Sequence, residues 1–403
     1  MDYLLILISS TIFYFSLREL IKKNRVQLLL PIFYNFIVIY VLLGSFFFDF
    51  SKEMPFDLFY KVKADSVINA SLYYIYASVV YYIGCRFVRT NKKLETGRNG
   101  LSISFDINNQ YLLISLIFFV HIIYIYGYGV EPLIYRRGYI DSSFGRDMFI
   151  LKVFFMISPF LIVLIPFVKN RIFKYLIYFF SFFILFGASS RYVIMVPLLY
   201  MVGTYIKYSQ IKIRTVVINS LILCSSLVFV LQIRNEVYHG IVPNIHHLFS
   251  EGLDREYLFL GINYALSFSL YGTAYVLENF THNAEAFYLS ITPLPSSMID
   301  IDVVLQEHKM IGPSPISAIS ALVLSGFLTL TVFYFFLGFV FSNLLERLKG
   351  KSLFYFIILG LFVLFVLFSV QYNLRGATRF IYFSIYTYFI SIFIRWMMII
   401  KSK

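Results

Sequence analysis

The residues best suited to chemistry are arginines set apart from the other basic residues. Arg375 and Arg379 lie in "VQYNLRGATRF" (370–380), four residues apart, with no acid close by. That spacing puts both on one face of a helix, and Gly376 between them admits a ligand or another backbone. Arg191 lies in "FGASSRYVIM" between two short apolar runs, and Arg136, Arg137 and Arg234 flank other runs. Arginine offers a flat, permanently charged fork that grips a phosphate through two parallel hydrogen bonds. These six are therefore candidate ligands for a phosphate-bearing substrate. The plainer alternatives are headgroup anchors for Arg375 and Arg379, a snorkelling side chain for Arg191 and a solvated loop pair for Arg136 and Arg137. Arg255 sits among acids in "GLDREY", which a local salt bridge explains.

General bases come from a second group, Glu278, Glu285, Glu307 and His308. A positioned Glu or His takes the proton from a weak hydroxyl nucleophile in the transition state. Metal binding finds less support. His246 and His247 are adjacent and point apart on a helix, and no metal-protease pattern accompanies them. Asp300 and Asp302 share a face only if the chain there is extended; a polar loop edge is the alternative. Cys85 and Cys224 fall within apolar runs and make no disulfide or metal pattern. No metal and no cofactor is expected.

The elements that must position these groups follow from composition. The 403 residues are 60% hydrophobic, 20% aromatic and only 14% charged, against about a quarter charged in soluble domains. Apolar runs recur along the whole length, so the fold class is all-α, a polytopic membrane protein. Eleven spans (range 10–13) are expected, at 3–17, 28–48, 66–85, 111–127, 150–168, 175–189, 192–206, 215–231, 316–341, 352–370 and 380–399. The first is read as a span, because no basic stretch precedes it and no small-residue cleavage site follows.

One set of connections (18–27, 86–110, 169–174, 207–214, 342–351 and the C-terminal end) holds 21 of the 34 Lys and Arg with 4 of the acids. The positive-inside rule makes that set cytoplasmic. The N-terminus is then outside and the C-terminus inside. The net charge of +13 is thus a topology signal and no argument for nucleic acid. Residues 257–277 are apolar enough to cross, yet one extra crossing would turn the basic "ERLKGK" outward. They are expected as a membrane-lying or re-entrant helix within one long outer loop, 232–315, of a single membrane domain, 1–403. Loops of that length are usually functional. No phosphate-cradling glycine loop is present, which argues against ATP-driven transport by this chain.

The outer loop ends in "EHKMIGPSPISAISALVLSGFLTLTVFYFFLG" (307–338), a Gly/Pro/Ser-rich strip running into an apolar helix interrupted at Gly326. Together with "TPLPSS" (292–297), "GASSRY" (187–192) and "RGATR" (375–379), this layout resembles the Wzy-type O-antigen, or oligosaccharide repeat-unit, polymerases. The resemblance covers most of the chain, more by layout than by residues. It implies a membrane glycosyltransferase of the bacterial cytoplasmic membrane that joins oligosaccharides carried on undecaprenyl pyrophosphate at the periplasmic face, among membrane lipids and with a chain-length regulator as a further partner. Related O-antigen ligases use a His just before the same helix, together with arginines, and His308 occupies that kind of place. The implied site is His308, Glu307 and Glu285 as catalytic groups, with Arg136, Arg137, Arg191, Arg234, Arg375, Arg379 and Ser314 holding substrate. Two readings stay open beside it: a flippase or transporter for lipid-linked sugars, and a ligase transferring finished polymer. A flippase should carry charges deep in several spans and paired repeats; neither is evident.

Overall fold

A computed structural model describes residues 2–23, 25–47, 49–50, 54–88, 110–138, 148–189, 191–208, 212–312, 314–348 and 352–401. The chain opens with α1 (Asp2–Lys23), α2 (Leu29–Gly44) and α3 (Ala64–Arg86). Next come α4 (Gln110–Tyr128), α5 (Val130–Ile134), strand β1 (Arg136–Arg137), α6 (Met148–Leu164), α7 (Arg171–Gly187), α8 (Met195–Tyr208) and α9 (Ile213–Gln232). Strand β2 (Tyr238–His239), α10 (Ile241–Ser250), α11 (Arg255–Ala265), α12 (Ser267–Asn279), α13 (Ala284–Ile291) and α14 (Ile301–Glu307) follow. Strands β3 (Lys309–Ile311) and β4 (Ser314–Pro315) form a hairpin ahead of α15 (Ala318–Leu324), α16 (Phe327–Leu348), α17 (Ser352–Phe368) and α18 (Leu374–Lys401).

Six helical stretches among the described residues are long and apolar enough to cross a membrane: Asp2–Lys23, Val26–Gly44, Gln110–Tyr128, Ile213–Gln232, Phe327–Leu348 and Leu374–Ile394. Three shorter apolar helices, Ile157–Phe167, Tyr192–Tyr205 and Phe354–Phe368, add to them. The protein is thus all-α and membrane-embedded in character. The span expected over 316–341 is two helices. Gly326 has φ +96°, a left-handed conformation that ends α15, and the Gly326 N–H bonds the Val323 carbonyl before α16 starts. Residues 257–277 likewise divide, at Leu266, into α11 and α12. The last helix starts at Leu374 and so includes both arginines that sequence placed ahead of it.

The chain divides into two compact units, one from residues 1–97 and 262–403, the other from 98–261. The segment 232–315, expected as one loop, is therefore shared between them and is largely helical. In the first unit α3 is central, packed by α2, α12 and α16. Small residues let the backbones touch. A methyl group on Gly84 would overlap the Phe335 carbonyl oxygen, and one on Gly338 would overlap that of Tyr81. Hydroxyls tie the buried faces together: Tyr34 meets Tyr334 and Ser369, each at 2.8 Å, and Thr273 meets Ser320 at 2.8 Å. With no water in a hydrocarbon interior, such groups must pair with one another. In the second unit α6 packs on α4 and α8, and Gly203 of α8 lies against the Val163 carbonyl.

Candidate active site

The first unit builds a polar cleft beside α13. Asn283 caps the start of this helix, its Oδ1 accepting the Ala286 N–H at 3.1 Å. Every helix leaves its last four carbonyls without an internal partner. Here the Tyr288 carbonyl accepts the Thr292 N–H at 3.1 Å. Leu289 accepts from Arg375 Nη1 at 2.7 Å, Ser290 from Thr378 Oγ1 at 3.0 Å, and Ile291 from the Tyr382 hydroxyl. Arg375 Nη2 reaches further, to the Leu294 carbonyl at 2.7 Å, and Arg379 bonds the Ser296 hydroxyl. Residues 375, 378, 379 and 382 share one face of α18. That face grips residues 289–296, so "RGATR" and "TPLPSS" form one construction.

Arg375 and Arg379 differ in what they offer. Arg375 is 3% exposed, and its Nη groups face backbone carbonyls. It closes the end of α13, where a cation also favours the helix dipole. Arg379 is exposed and bonded to a side-chain hydroxyl, so it is the one of the pair open to a ligand.

His308 follows α14. Asp300 caps that helix, its Oδ1 accepting the Asp302 N–H at 3.1 Å, which accounts for the carboxylate considered above as a metal ligand. The β3–β4 hairpin turns back through Gly312 (φ +53°), and the Ile316 N–H bonds the His308 carbonyl at 2.6 Å. The imidazole is buried, with Nδ1 3.5 Å from Ser290 Oγ. Ser290 donates its own hydrogen to the Ala286 carbonyl at 2.7 Å. Its oxygen is therefore an acceptor towards Nδ1–H, an assignment from the network that leaves the lone pair on Nε2. Burial lowers the His308 pKa below the ordinary 6.5, opposed by the Glu307 carboxylate. The imidazole is thus neutral near pH 7, as a general base must be.

His308 and Glu307 line a cleft of about 170 Å³ with Asn279, His282, Asn283 and Ser325. His282 Nδ1 lies 3.2 Å from Ser325 Oγ. The other expected groups fall elsewhere. Glu285 is exposed in the first turn of α13 and does not line the cleft. Glu278 accepts the Lys63 N–H at 2.9 Å. Ser314 is buried in the hairpin, opposite Ile311.

Arg136, Arg137, Arg191 and Arg234 belong to the second unit. Arg136 is 1% exposed and donates to the carbonyls of Pro132 (2.9 Å), Gly187 (2.9 Å) and Ala188 (3.1 Å), closing the end of α7. Asn244 Nδ2 holds the Phe186 carbonyl at 2.8 Å, and β2 pairs His239 with Arg136. Burial, with the Arg136 charge next in weight, lowers the His239 pKa, and a bond to the Glu236 carbonyl opposes both. The 186–188 end of α7 is thus clamped as that of α13 is. Arg137 and Arg234 are exposed. Arg191 opens a 3-10 turn, 191–194, and its side chain lies outside the described residues.

Sequence reasoning missed Ser290, Thr378, Tyr382, Ser296 and His282. The signal for two of them, Thr378 and Tyr382, was the i, i+3, i+4, i+7 recurrence with Arg375 and Arg379 at the start of the last helix. Comparison with models of protein families, with curated proteins and with solved structures returned no match.

Proposed function

We propose that this protein is a Wzy-type membrane glycosyltransferase that polymerises oligosaccharide units carried on undecaprenyl pyrophosphate, at the periplasmic face of a bacterial cytoplasmic membrane. The observation that carries the reading is His308: a buried imidazole with Nδ1 3.5 Å from Ser290 Oγ, in a polar cleft with Glu307, on the segment that the α18 arginines secure.

In this reading a sugar hydroxyl of the acceptor attacks the anomeric carbon of the donor. The bond from that carbon to the pyrophosphate oxygen breaks, and the hydroxyl proton passes to His308 Nε2. Lipid pyrophosphate leaves with the electron pair. It is already a good leaving group, and the donor arrives lipid-linked because no nucleotide sugars are supplied outside the cytoplasm. Arg379, its guanidinium bonded to the Ser296 hydroxyl, stabilises the developing charge on the pyrophosphate. Arg375 acts as a positioning residue for α13 and hence for His308. Arg137, Arg191 and Arg234 are proposed as phosphate ligands of the second unit taken by itself.

Deletion of the protein tests this. The expected result is single repeat units on the final acceptor and no long chains. Loss of all surface glycan would instead indicate a flippase or a ligase.

A further inference from the structure

From Met148 to Asn235 the sequence contains no acidic residue. Cations nevertheless gather at the end of the second unit formed by the α6–α7 and α8–α9 connections. Gly203 brings α8 onto the α6 backbone, and this draws Lys207 to the end of α6. Lys207 Nζ donates to the Pro166 carbonyl at 2.8 Å and lies over the rings of Tyr208 (4.9 Å) and Phe167 (6.0 Å). Lys174, in the first turns of α7, is partly desolvated and lies within electrostatic reach of the Tyr208 phenol, which favours its charge, and of Lys207 and Arg171, which oppose it. Lys174, Lys207 and Lys212 all act on the Tyr208 phenol.

Lys174 and Lys207 are half-buried, and among the described residues neither has a carboxylate partner. Fully solvated lysines would satisfy a topology signal at little cost. The Pro166 carbonyl and the Tyr208 and Phe167 rings offset part of the cost of burying Lys207, but among the described residues no neighbour there carries the negative charge that a pair of half-buried cations calls for. Asn170 also caps α7 here, leaving the positive end of that helix dipole facing the same region.

We propose that this cluster binds a phosphate group at the membrane surface, with Lys174 and Lys207 as the inner ligands and Arg171 and Lys212 as the outer ones. The phosphate comes from an anionic phospholipid headgroup or from a soluble phosphate compound. Basic pockets at the cytoplasmic ends of helices have the chemistry for either, at about 1 kcal/mol per cation. The site is independent of the His308 chemistry and stands if that chemistry fails.

The test uses the purified full-length protein in a neutral detergent. Phosphatidylglycerol, phosphatidylcholine and inorganic pyrophosphate are titrated separately while thermal unfolding is followed. Phosphatidylglycerol or pyrophosphate should raise the Tm of the wild type, whereas phosphatidylcholine should not. A response to the lipid alone assigns the headgroup, and a response to pyrophosphate assigns the soluble source. In the K174Q/K207Q protein the apparent affinity should fall about 30-fold. The R171Q/K212Q protein, altered only at exposed side chains, should show a smaller loss. Equal titration curves for wild type and both variants, or no response to either anion, would overturn the proposal.

Discussion

The Arg375 guanidinium lies 2.7 Å from the Leu289 carbonyl oxygen and closes the last turn of α13. A cation that reads in sequence as a phosphate ligand is thereby committed to backbone, and the ligand role falls to Arg379, one turn on.

This separation gives the first prediction. Arg375→Ala removes donors from buried carbonyls and should lower stability by about 3 kcal/mol, because each such group left unsatisfied costs about 1–3 kcal/mol. Arg375→Lys should recover only part, since one ammonium cannot reach both Leu289 and Leu294 as the fork does. Thermal unfolding of the detergent-solubilised proteins measures both.

Arg379→Ala should behave in the opposite way. The side chain is exposed, so stability should change by no more than about 0.5 kcal/mol. Chain extension should be abolished while the protein still inserts and folds. Surface-glycan electrophoresis together with membrane-fraction yield separates the two effects. Normal-length polymer from this variant would remove the phosphate role.

How much of this was legible beforehand differs by level. The apolar runs gave the helices, because a bilayer demands continuous internal hydrogen bonding over a fixed length. The break at Gly326 was signalled by the residue itself. The clamps were not legible. Arg136 and Arg375 have the sequence context of free cations, and only the fold reveals that a helix end stops beside each one. His308 and Glu307 were chosen from the sequence and do share a cleft, whereas Glu278 accepts the Lys63 N–H and Glu285 is exposed away from the cleft. Nothing local in the sequence distinguishes those carboxylates.

Acid should act through His308. Burial lowers its pKa below 6.5, so the neutral base persists through pH 6.5, and the rate should fall only as pH drops further. The stability effect has the same sign. The unfolded chain takes up this proton near 6.5 and the folded chain resists it. Stability is therefore full above 6.5 and declines as pH falls from 6.5 towards the folded pKa. His239 responds alike. His308→Gln should thus keep part of the acid loss in stability while having no pH-dependent chain extension, as pH-resolved unfolding and activity assays would show.

Close packing in the first unit should be intolerant of bulk. Gly338→Leu sets side-chain atoms against the Tyr81 carbonyl and should cost about 1–3 kcal/mol or more, by forcing α16 away from α3. Leu328→Ala, at an exposed position of α16, should change stability little. Comparing the folded fractions of the two proteins after solubilisation checks this.

The most direct measurement places the purified protein in vesicles with a lipid-pyrophosphate-linked oligosaccharide and follows product length and released lipid pyrophosphate together. The wild type should give a ladder of chains, with one lipid pyrophosphate freed for each unit added, and His308→Ala should give neither, although it is folded. A ladder of unchanged yield from folded His308→Ala would contradict the assignment of the base. Movement of the intact donor across the bilayer, without ladder or release, would contradict the enzyme itself.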